Sequence, residues 1–303
     1  MSTLTAAPTD RHNGRFDFST DHNDLLGAHL STQGGVPTVF ARAATVGARA
    51  VALFAKNGNQ WKGKPLEDEI RAQFFEERAR IQVGPVLTHA SYLINLAGTD
   101  PVMYEKSIAA MIDELERAEQ LGAYAVVLHP GAHLGLGVRF GIDQIARSLD
   151  RIHCAIPACK VVTLLETAAG QGSCLGSSFE ELSAMLTLVD ERHRVGICFD
   201  TCHVFSAGYE LRTRAAYEAT IDSLGLHLGF ENVGAFHLND SKRAIGSRVD
   251  RHEHIGAGEI GLDAFSFLLN DQRFTRIPKV IETPKPHPFD DDIRNLTLLR
   301  SLM

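Results

Sequence analysis

The sequence predicts an α/β fold, a single (β/α)₈ TIM barrel with its active site at the C-terminal ends of the strands. Three observations carry that expectation. Eight short apolar runs recur along the chain, continuous rather than alternating, as parallel strands covered on both faces require. Helical patterns lie between them. The 303 residues fit one such barrel and leave little room for a second domain.

The strand-forming runs begin with LLGAHL (Leu25–Leu30), ARAVALFA (Ala48–Ala55), QVGPVLTHA (Gln82–Ala90) and AYAVVLHP (Ala123–Pro130). KVVTLLET (Lys160–Thr167), RVGICFDT (Arg194–Thr201), VGAFHLND (Val233–Asp240) and PKVIETP (Pro278–Pro284) complete the set. Between the third and fourth runs, Ile108, Met111, Ile112, Leu115 and Ala118 recur at helical spacing from about Pro101 to Leu121, with Pro101 in the first turn and Gly122 at the end. A second clear helix runs from about Ser178 to Val189, burying Phe179, Leu182, Met185, Leu186 and Val189, with Glu180 and Glu181 in its first turn. An open doubly wound sheet would need G-x-G-x-x-G after its first strand, and GAHLSTQGG lacks that spacing.

Composition bounds the function classes. At 44% hydrophobic and 22% charged, the chain is neither disordered nor fibrous, and it needs no disulfide staples. Its five cysteines (Cys154, Cys159, Cys174, Cys198, Cys202) are odd in number and include no C-x-x-C pair, which fits reduced thiols and a cytoplasmic location. No apolar stretch approaches a membrane span, and residues 1–23 lack the apolar core of a secretory signal. Those residues read as a flexible N-terminal arm, and residues 24–303 as the barrel domain. The formal net charge of −7 argues at first sight against a nucleic-acid partner.

The strand ends carry the chemistry. In order they supply His29, His89, His129, Glu166, Asp200, His237 and Glu282, with His203, Asp250 and His252 nearby. A lone histidine is more often a satisfied or surface group than a ligand. A succession of ionisable groups buried together is prohibitive without compensation, and cations supply it. Imidazoles and carboxylates without thiolate suit zinc or manganese. His89, His129, Glu166, Asp200, His203, His237, Asp250, His252 and Glu282 are too many ligands for one ion and about right for three, a multi-metal hydrolytic site.

The motifs resemble those of the endonuclease IV family of apurinic/apyrimidinic (AP) endonucleases. The likeness runs from about Leu25 to Pro284 through GAHLSTQGG, FAKNGNQW (Phe54–Trp61), LTHASYLINLA (Leu87–Ala97), LHPGAH (Leu128–His133) and LETAAGQG (Leu165–Gly172). It continues through FDTCHVFSAGY (Phe199–Tyr209), HLNDSK (His237–Lys242), SRVDRHEHIGAGEIG (Ser247–Gly261) and IETP (Ile281–Pro284). The resemblance implies a zinc-dependent base-excision-repair nuclease that cuts duplex DNA 5′ to abasic sites, by a trinuclear-metal hydroxide mechanism, leaving a 3′-hydroxyl and a 5′-deoxyribose phosphate. It implies three Zn²⁺ per chain, with Mn²⁺ possible at one or more sites. One ion falls to His89, His129 and Glu166, a second to Glu166, Asp200, His237 and Glu282, and a third to His203, Asp250 and His252. Glu166, the bridge, is the expected catalytic residue, and a monomer is expected. His29, His133 and His254 receive no ligand role.

Tyr92 and Leu93 occupy the family's DNA-penetrating loop, and Asn59, Trp61 and Arg251 are further expected DNA contacts. Lys56, Lys62, Lys242, Arg243 and Arg248 are candidate phosphate contacts. Two departures stand out: Asn59 replaces an arginine common in the family, and Ala90 replaces the aspartate of the usual H-D-S-Y. A divalent-metal sugar isomerase or epimerase of a related barrel is the alternative. Three divalent ions would cancel most of the −7, so the acidic total says little about the face that carries them.

Overall fold

The computed structural model describes residues 15–18 and 24–303. Eight parallel strands close a barrel: β1 (Leu26–His29), β2 (Ala50–Leu53), β3 (Val86–His89), β4 (Ala125–Leu128), β5 (Val162–Glu166), β6 (Val195–Asp200), β7 (Val233–His237) and, after a small outer hairpin, β10 (Lys279–Ile281). Each lies inside one of the eight apolar runs. Every residue of β2, β3, β4, β6, β7 and β10 is buried, as both faces of the sheet are covered. The β1–β2 pair is close enough that a Cβ on Gly27 would overlap the Ala50 carbonyl oxygen, so only glycine fits there.

The outer layer is formed by α1 (Thr38–Val46), α2 (Asp68–Ile81), α3 (Pro101–Gln120), α4 (Val138–Ala155), α5 (Phe179–Leu188), α7 (Arg214–Leu228), α8 (Leu262–Leu269) and α9 (Asp290–Arg300). The helix from about Pro101 ends one residue short of expectation. Its start is fixed by Asp100, whose carboxylate accepts the Met103 N–H at 2.8 Å. Ser178 caps α5 in the same way, and Glu181 reaches back to the Gly176 and Ser177 N–H groups. No described helix is long and apolar enough to cross a membrane.

Two features depart from a strict strand–helix alternation. A short buried helix, α6 (Thr201–Ala207), follows β6 directly, and a hairpin of β8 (Asp240–Ser241) and β9 (His252–Glu253) stands over the C-terminal face. Neither has a readable period: six of the seven α6 residues are buried, and two-residue strands are too short to alternate. Of the expected arm, residues 1–14 and 19–23 lie outside the described residues. Residues 15–18 pack onto the barrel floor. Phe16 is buried against the space left by Gly196 and Gly234, and Arg15 donates to the Val195 carbonyl at 2.7 Å.

One buried charge-bearing group sits in the β10 wall. Lys279 Nζ donates to the Phe274 and Ile277 carbonyls at 2.5 and 2.9 Å, and among the described residues no carboxylate pairs with it. Burial lowers its pKa to about 7, with Asp271 and Asp24 opposing. Between that value and the ordinary lysine value the unfolded chain binds the extra proton, so stability rises with pH across this window. Lys279→Met removes that contribution, and denaturation midpoints at about pH 6 and about pH 9 should lie closer together in the variant than in the parent chain.

Candidate metal centre

Barrel closure brings the strand ends to one face. His29, His89, Glu166, Asp200 and His237 are the last residues of β1, β3, β5, β6 and β7, while His129 and Glu282 lie one residue beyond β4 and β10. α6 begins immediately after Asp200 and lifts His203 one turn above it. Asp200 also caps this helix, accepting the His203 N–H at 2.8 Å. The hairpin lowers Asp250 and His252 onto the same face.

Around Glu166, His89 Nε2 and His129 Nε2 stand 3.3 and 3.1 Å from Oε2, while His237 Nδ1 stands 2.7 Å from Oε1. His237 Nδ1 is also 3.0 Å from Glu282 Oε2, and Asp200 Oδ2 lies 4.0 Å away. On the hairpin side, Asp250 faces His203 Nε2 at 3.2 Å and His252 Nε2 at 3.3 Å. Donor atoms of His89, His129 and Glu166 converge closely enough to hold an ion, as do those of Glu166, Asp200, His237 and Glu282. Asp200, His203 and His252 form a further such group. All nine ligand candidates from the sequence therefore share one continuous cluster. Two thiols join its margins: Cys198 beside Glu166 and His237, and Cys202 beside Asp250 and His252.

The donor set fits divalent cations on three counts. First, among the described residues no lysine or arginine lies within 4.0 Å of the carboxylates of Glu166, Asp200, Asp250 or Glu282; their only ionisable basic partners are imidazoles. Buried carboxylates without a permanent cation are costly. Second, the Nδ1–H groups of His89, His203 and His252 donate to the carbonyls of Ala90, Thr167 and Glu282 at 2.8, 2.8 and 3.1 Å, which leaves each Nε2 lone pair facing the carboxylates. Third, His203 Nε2 and His252 Nε2 face each other at 3.4 Å, an approach that suits two lone pairs sharing a cation.

Protonation follows the same field. Burial alone would raise Glu166 and Glu282, but the imidazoles around them hold both well below the usual carboxylate range. Burial would lower His252, yet the hydrogen bond to Asp250 and the charge of Asp200 carry it up to about 9. His129 is pushed down to about 4 by burial. The cluster attracts positive charge, whether protons or metal.

Residues next to the cluster fix it. Asn239, fully buried, donates to Asp200 Oδ2 at 2.6 Å and accepts the Glu282 N–H at 2.8 Å, tying two strand ends together. Asp240 accepts the N–H groups of Gly256, Gly258 and Ile260 at 2.9, 3.1 and 2.9 Å and so pins the GAGEIG loop; a Cβ on Gly258 would overlap the Ser241 carbonyl. Neither residue is among those expected from the sequence, although two polar residues ending the seventh apolar run were a usable signal. His29 donates to Glu282 at 2.8 Å, His133 organises its own loop by accepting the Gly135 and Gly137 N–H groups, and His254 meets Asn295.

A 540 Å³ cavity opens beside the cluster, lined by His129, His203 and Asp250 together with Tyr92, Ala169 and Leu175. Tyr92 is 60% exposed and Leu93 36%, both at the rim, with the Tyr92 ring against Phe54 and His89. Asn59 and Arg251 are exposed and Trp61 is half-buried. Lys62, Lys242, Arg243 and Arg248 are exposed as expected of phosphate contacts. Lys56 is not: its side chain is buried and paired with Asp113 and Glu114 at 2.7 and 3.0 Å, which removes it from the set of phosphate contacts.

Residues 40–301 match the family model described as a xylose isomerase-like TIM barrel. The chain is 48% identical over 278 residues to a probable endonuclease 4 of Chloroflexus aggregans, covering 92% of this chain and 97% of that one. A probable endonuclease 4 of Geobacter sulfurreducens is 45% identical, covering 93% and 95%. Among solved structures, endonuclease IV from Thermus thermophilus superposes with a TM-score of 0.81 at 32% identity, covering 91% of this chain and 98% of that one. A D-tagatose 3-epimerase-like protein, with a TM-score of 0.68 at 19% identity, covers 91% and 96% and shares the fold.

Removing the Asn239 side chain leaves Asp200 and the Glu282 backbone without their common partner. Asn239→Ala should weaken metal binding about 10- to 100-fold, read by competition with a chromophoric chelator. Unchanged affinity would mean that the strand ends hold the carboxylates unaided.

Proposed function

The chain belongs to the endonuclease IV family, and from that premise we propose that it is a DNA-repair endonuclease hydrolysing the phosphodiester bond 5′ to abasic sites in duplex DNA. The products would be a 3′-hydroxyl and a 5′-deoxyribose phosphate. The observation that carries this reading is the single continuous cluster of nine imidazoles and carboxylates, which has no lysine or arginine partner among the described residues and opens into a cavity at an exposed rim.

Three zinc ions per chain, with manganese acceptable at one or more sites, fit the donor count. His89, His129 and Glu166 would hold one, Glu166, Asp200, His237 and Glu282 a second, and His203, Asp250 and His252 a third. Bound there, divalent ions supply an activated water at neutral pH and neutralise charge on the phosphate and leaving oxygen. The chain's own residues do the rest. Glu166 presents one carboxylate oxygen to the His89 and His129 side and the other to His237, so it serves two sites at once. The backbone carbonyls of Ala90, Thr167 and Glu282 keep the imidazoles in the ligating tautomer. The cavity, lined by apolar residues such as Ile94 and Leu175 alongside polar ones such as Asn95 and Gln171, would receive a sugar that has lost its base.

Tyr92 and Leu93 supply the wedge that an enzyme acting within a duplex needs, with Asn59, Trp61 and Arg251 as neighbouring contacts. Asn59 offers a shorter reach into the stack than arginine would. The enzyme would work inside the cell as a monomer. A sugar epimerase would share the barrel but would have no use for a third ion, which His203, Asp250 and His252 would hold.

A duplex carrying one abasic analogue should be cut, with cleavage lost on chelation and restored by zinc or manganese. Turnover of a keto-sugar by metal-replete protein that leaves the duplex intact would overturn the assignment. Elemental analysis should find about three ions per chain, and a value near one would sink the three-ion assignment. Glu166→Ala should lose several orders of magnitude in kcat, since it strips a ligand from two ions; a mild loss would rule out the shared carboxylate.

A further inference from the structure

Helix α3 carries a closed charge quartet outside the metal cluster. Lys56 Nζ lies 2.7 Å from Asp113 and 3.0 Å from Glu114, and Arg117 Nε lies 3.0 Å from the same Asp113 oxygen. Two cations meet two carboxylates, and the Lys56 side chain is 2% exposed and that of Glu114 1%. None of these groups faces the cavity.

The quartet grips two loops at once. Lys56 opens the β2–α2 loop, and Arg117 donates to the Lys64 carbonyl at 2.6 Å on the loop's return limb. Gly63 is sandwiched between them: a Cβ there would lie 2.7 Å from the Arg117 guanidinium and 2.9 Å from the Lys56 stem. Glu114 accepts the Ser91 N–H at 3.1 Å, at the start of the β3–α3 loop. Ser91 Oγ then donates to the Gly58 carbonyl at 2.8 Å, and the Tyr92 N–H donates to the same oxygen at 3.1 Å. The loop bearing Asn59 and Trp61 and the loop bearing Tyr92 and Leu93 are therefore joined twice, once through the quartet and once at Gly58.

We propose that Lys56 and Glu114 are positioning residues, which lock the β2–α2 and β3–α3 loops into one rigid unit and thereby set the Tyr92–Leu93 wedge against the DNA. The DNA half of this inference rests on the proposed function; the coupling of the loops does not. Buried charge pairs specify geometry well because any alternative placement leaves a charge unpaired in a low-dielectric interior. The Tyr92 ring rests on Phe54, His89 and His129 on one side and is exposed on the other, so the backbone that carries it, held by the two joined loops, sets how far it projects.

The chain's single tryptophan lies in one of the two loops and reports on it without DNA. Lys56→Met should raise acrylamide quenching of Trp61 while metal content stays unchanged. It should raise KM for an abasic duplex about tenfold with kcat within about twofold, the scale on which a displaced binding group acts. In a Tyr92→Ala background the same substitution should add little, because the residue being positioned is gone. Ser91→Ala, which leaves no charge unpaired, removes the tie to Gly58 and the acceptor of the Leu93 N–H and should raise KM about fivefold, on the scale of one net hydrogen bond; it serves where Lys56→Met fails to fold. Unchanged Trp61 quenching and KM in a folded variant, or full additivity with Tyr92→Ala, would overturn the proposal. A parent chain that leaves abasic DNA intact, while Trp61 still responds to Lys56→Met, would reject the nuclease reading and keep the loop coupling.

Discussion

Four carboxylates gathered among imidazoles, with no lysine or arginine beside them among the described residues, are the constraint around which this molecule is built. Glu166 and Asp200 are buried at the mouth of the barrel, and their neighbours are histidines rather than lysines or arginines. Such a cluster is costly in an empty protein interior and favourable once divalent cations enter it. The elements around the barrel mouth can be read as responses to that condition. α6 starts on Asp200 and uses it as a cap, the β8–β9 hairpin closes over it, and Asn239 ties its other oxygen to the tenth strand.

Charge elsewhere is handled by the opposite device. The formal charges of Lys56, Asp113, Glu114 and Arg117 cancel, so they shape loops without calling for a further cation. The two clusters lie on either side of the β3–α3 loop, with His89 in one and Ser91 in contact with the other. The residues that would touch DNA are thus suspended between a group that needs cations and a group that has its own. This division also resolves the acidic total: the uncompensated negative charge is concentrated where cations belong, and bound ions would leave that face positive.

Most of the fold was legible in the sequence because burial on both faces leaves a local signature. All eight barrel strands fall within apolar runs, and the helix from Pro101 begins where its cap and proline indicate. The convergence of the candidate ligands was legible for a related reason: parallel strands of a barrel must end on one face, so polar residues at those ends must meet. α6 and the hairpin were not legible, because their conformation is dictated by contacts to Asp200 and Asp240 rather than by any period of their own. Phe16, placed in the arm by its polar surroundings, is held by the space over Gly196 and Gly234, which no local pattern announces.

The sequence by itself therefore determined the barrel, its family and the set of residues that converge at its mouth, because these follow from local apolar runs and from motifs that are continuous in the chain. Only the tertiary structure decided how the remaining charges are employed. Lys56 looks like a phosphate contact in FAKNGNQW and becomes a buried tie, since the carboxylates that capture it are 57 and 58 residues away on α3. Asn239 looks incidental beside His237 and becomes the joint between Asp200 and Glu282. Both outcomes depend on pairs of groups distant in sequence, and a charge or amide acquires its role only when folding removes water and leaves one partner within reach.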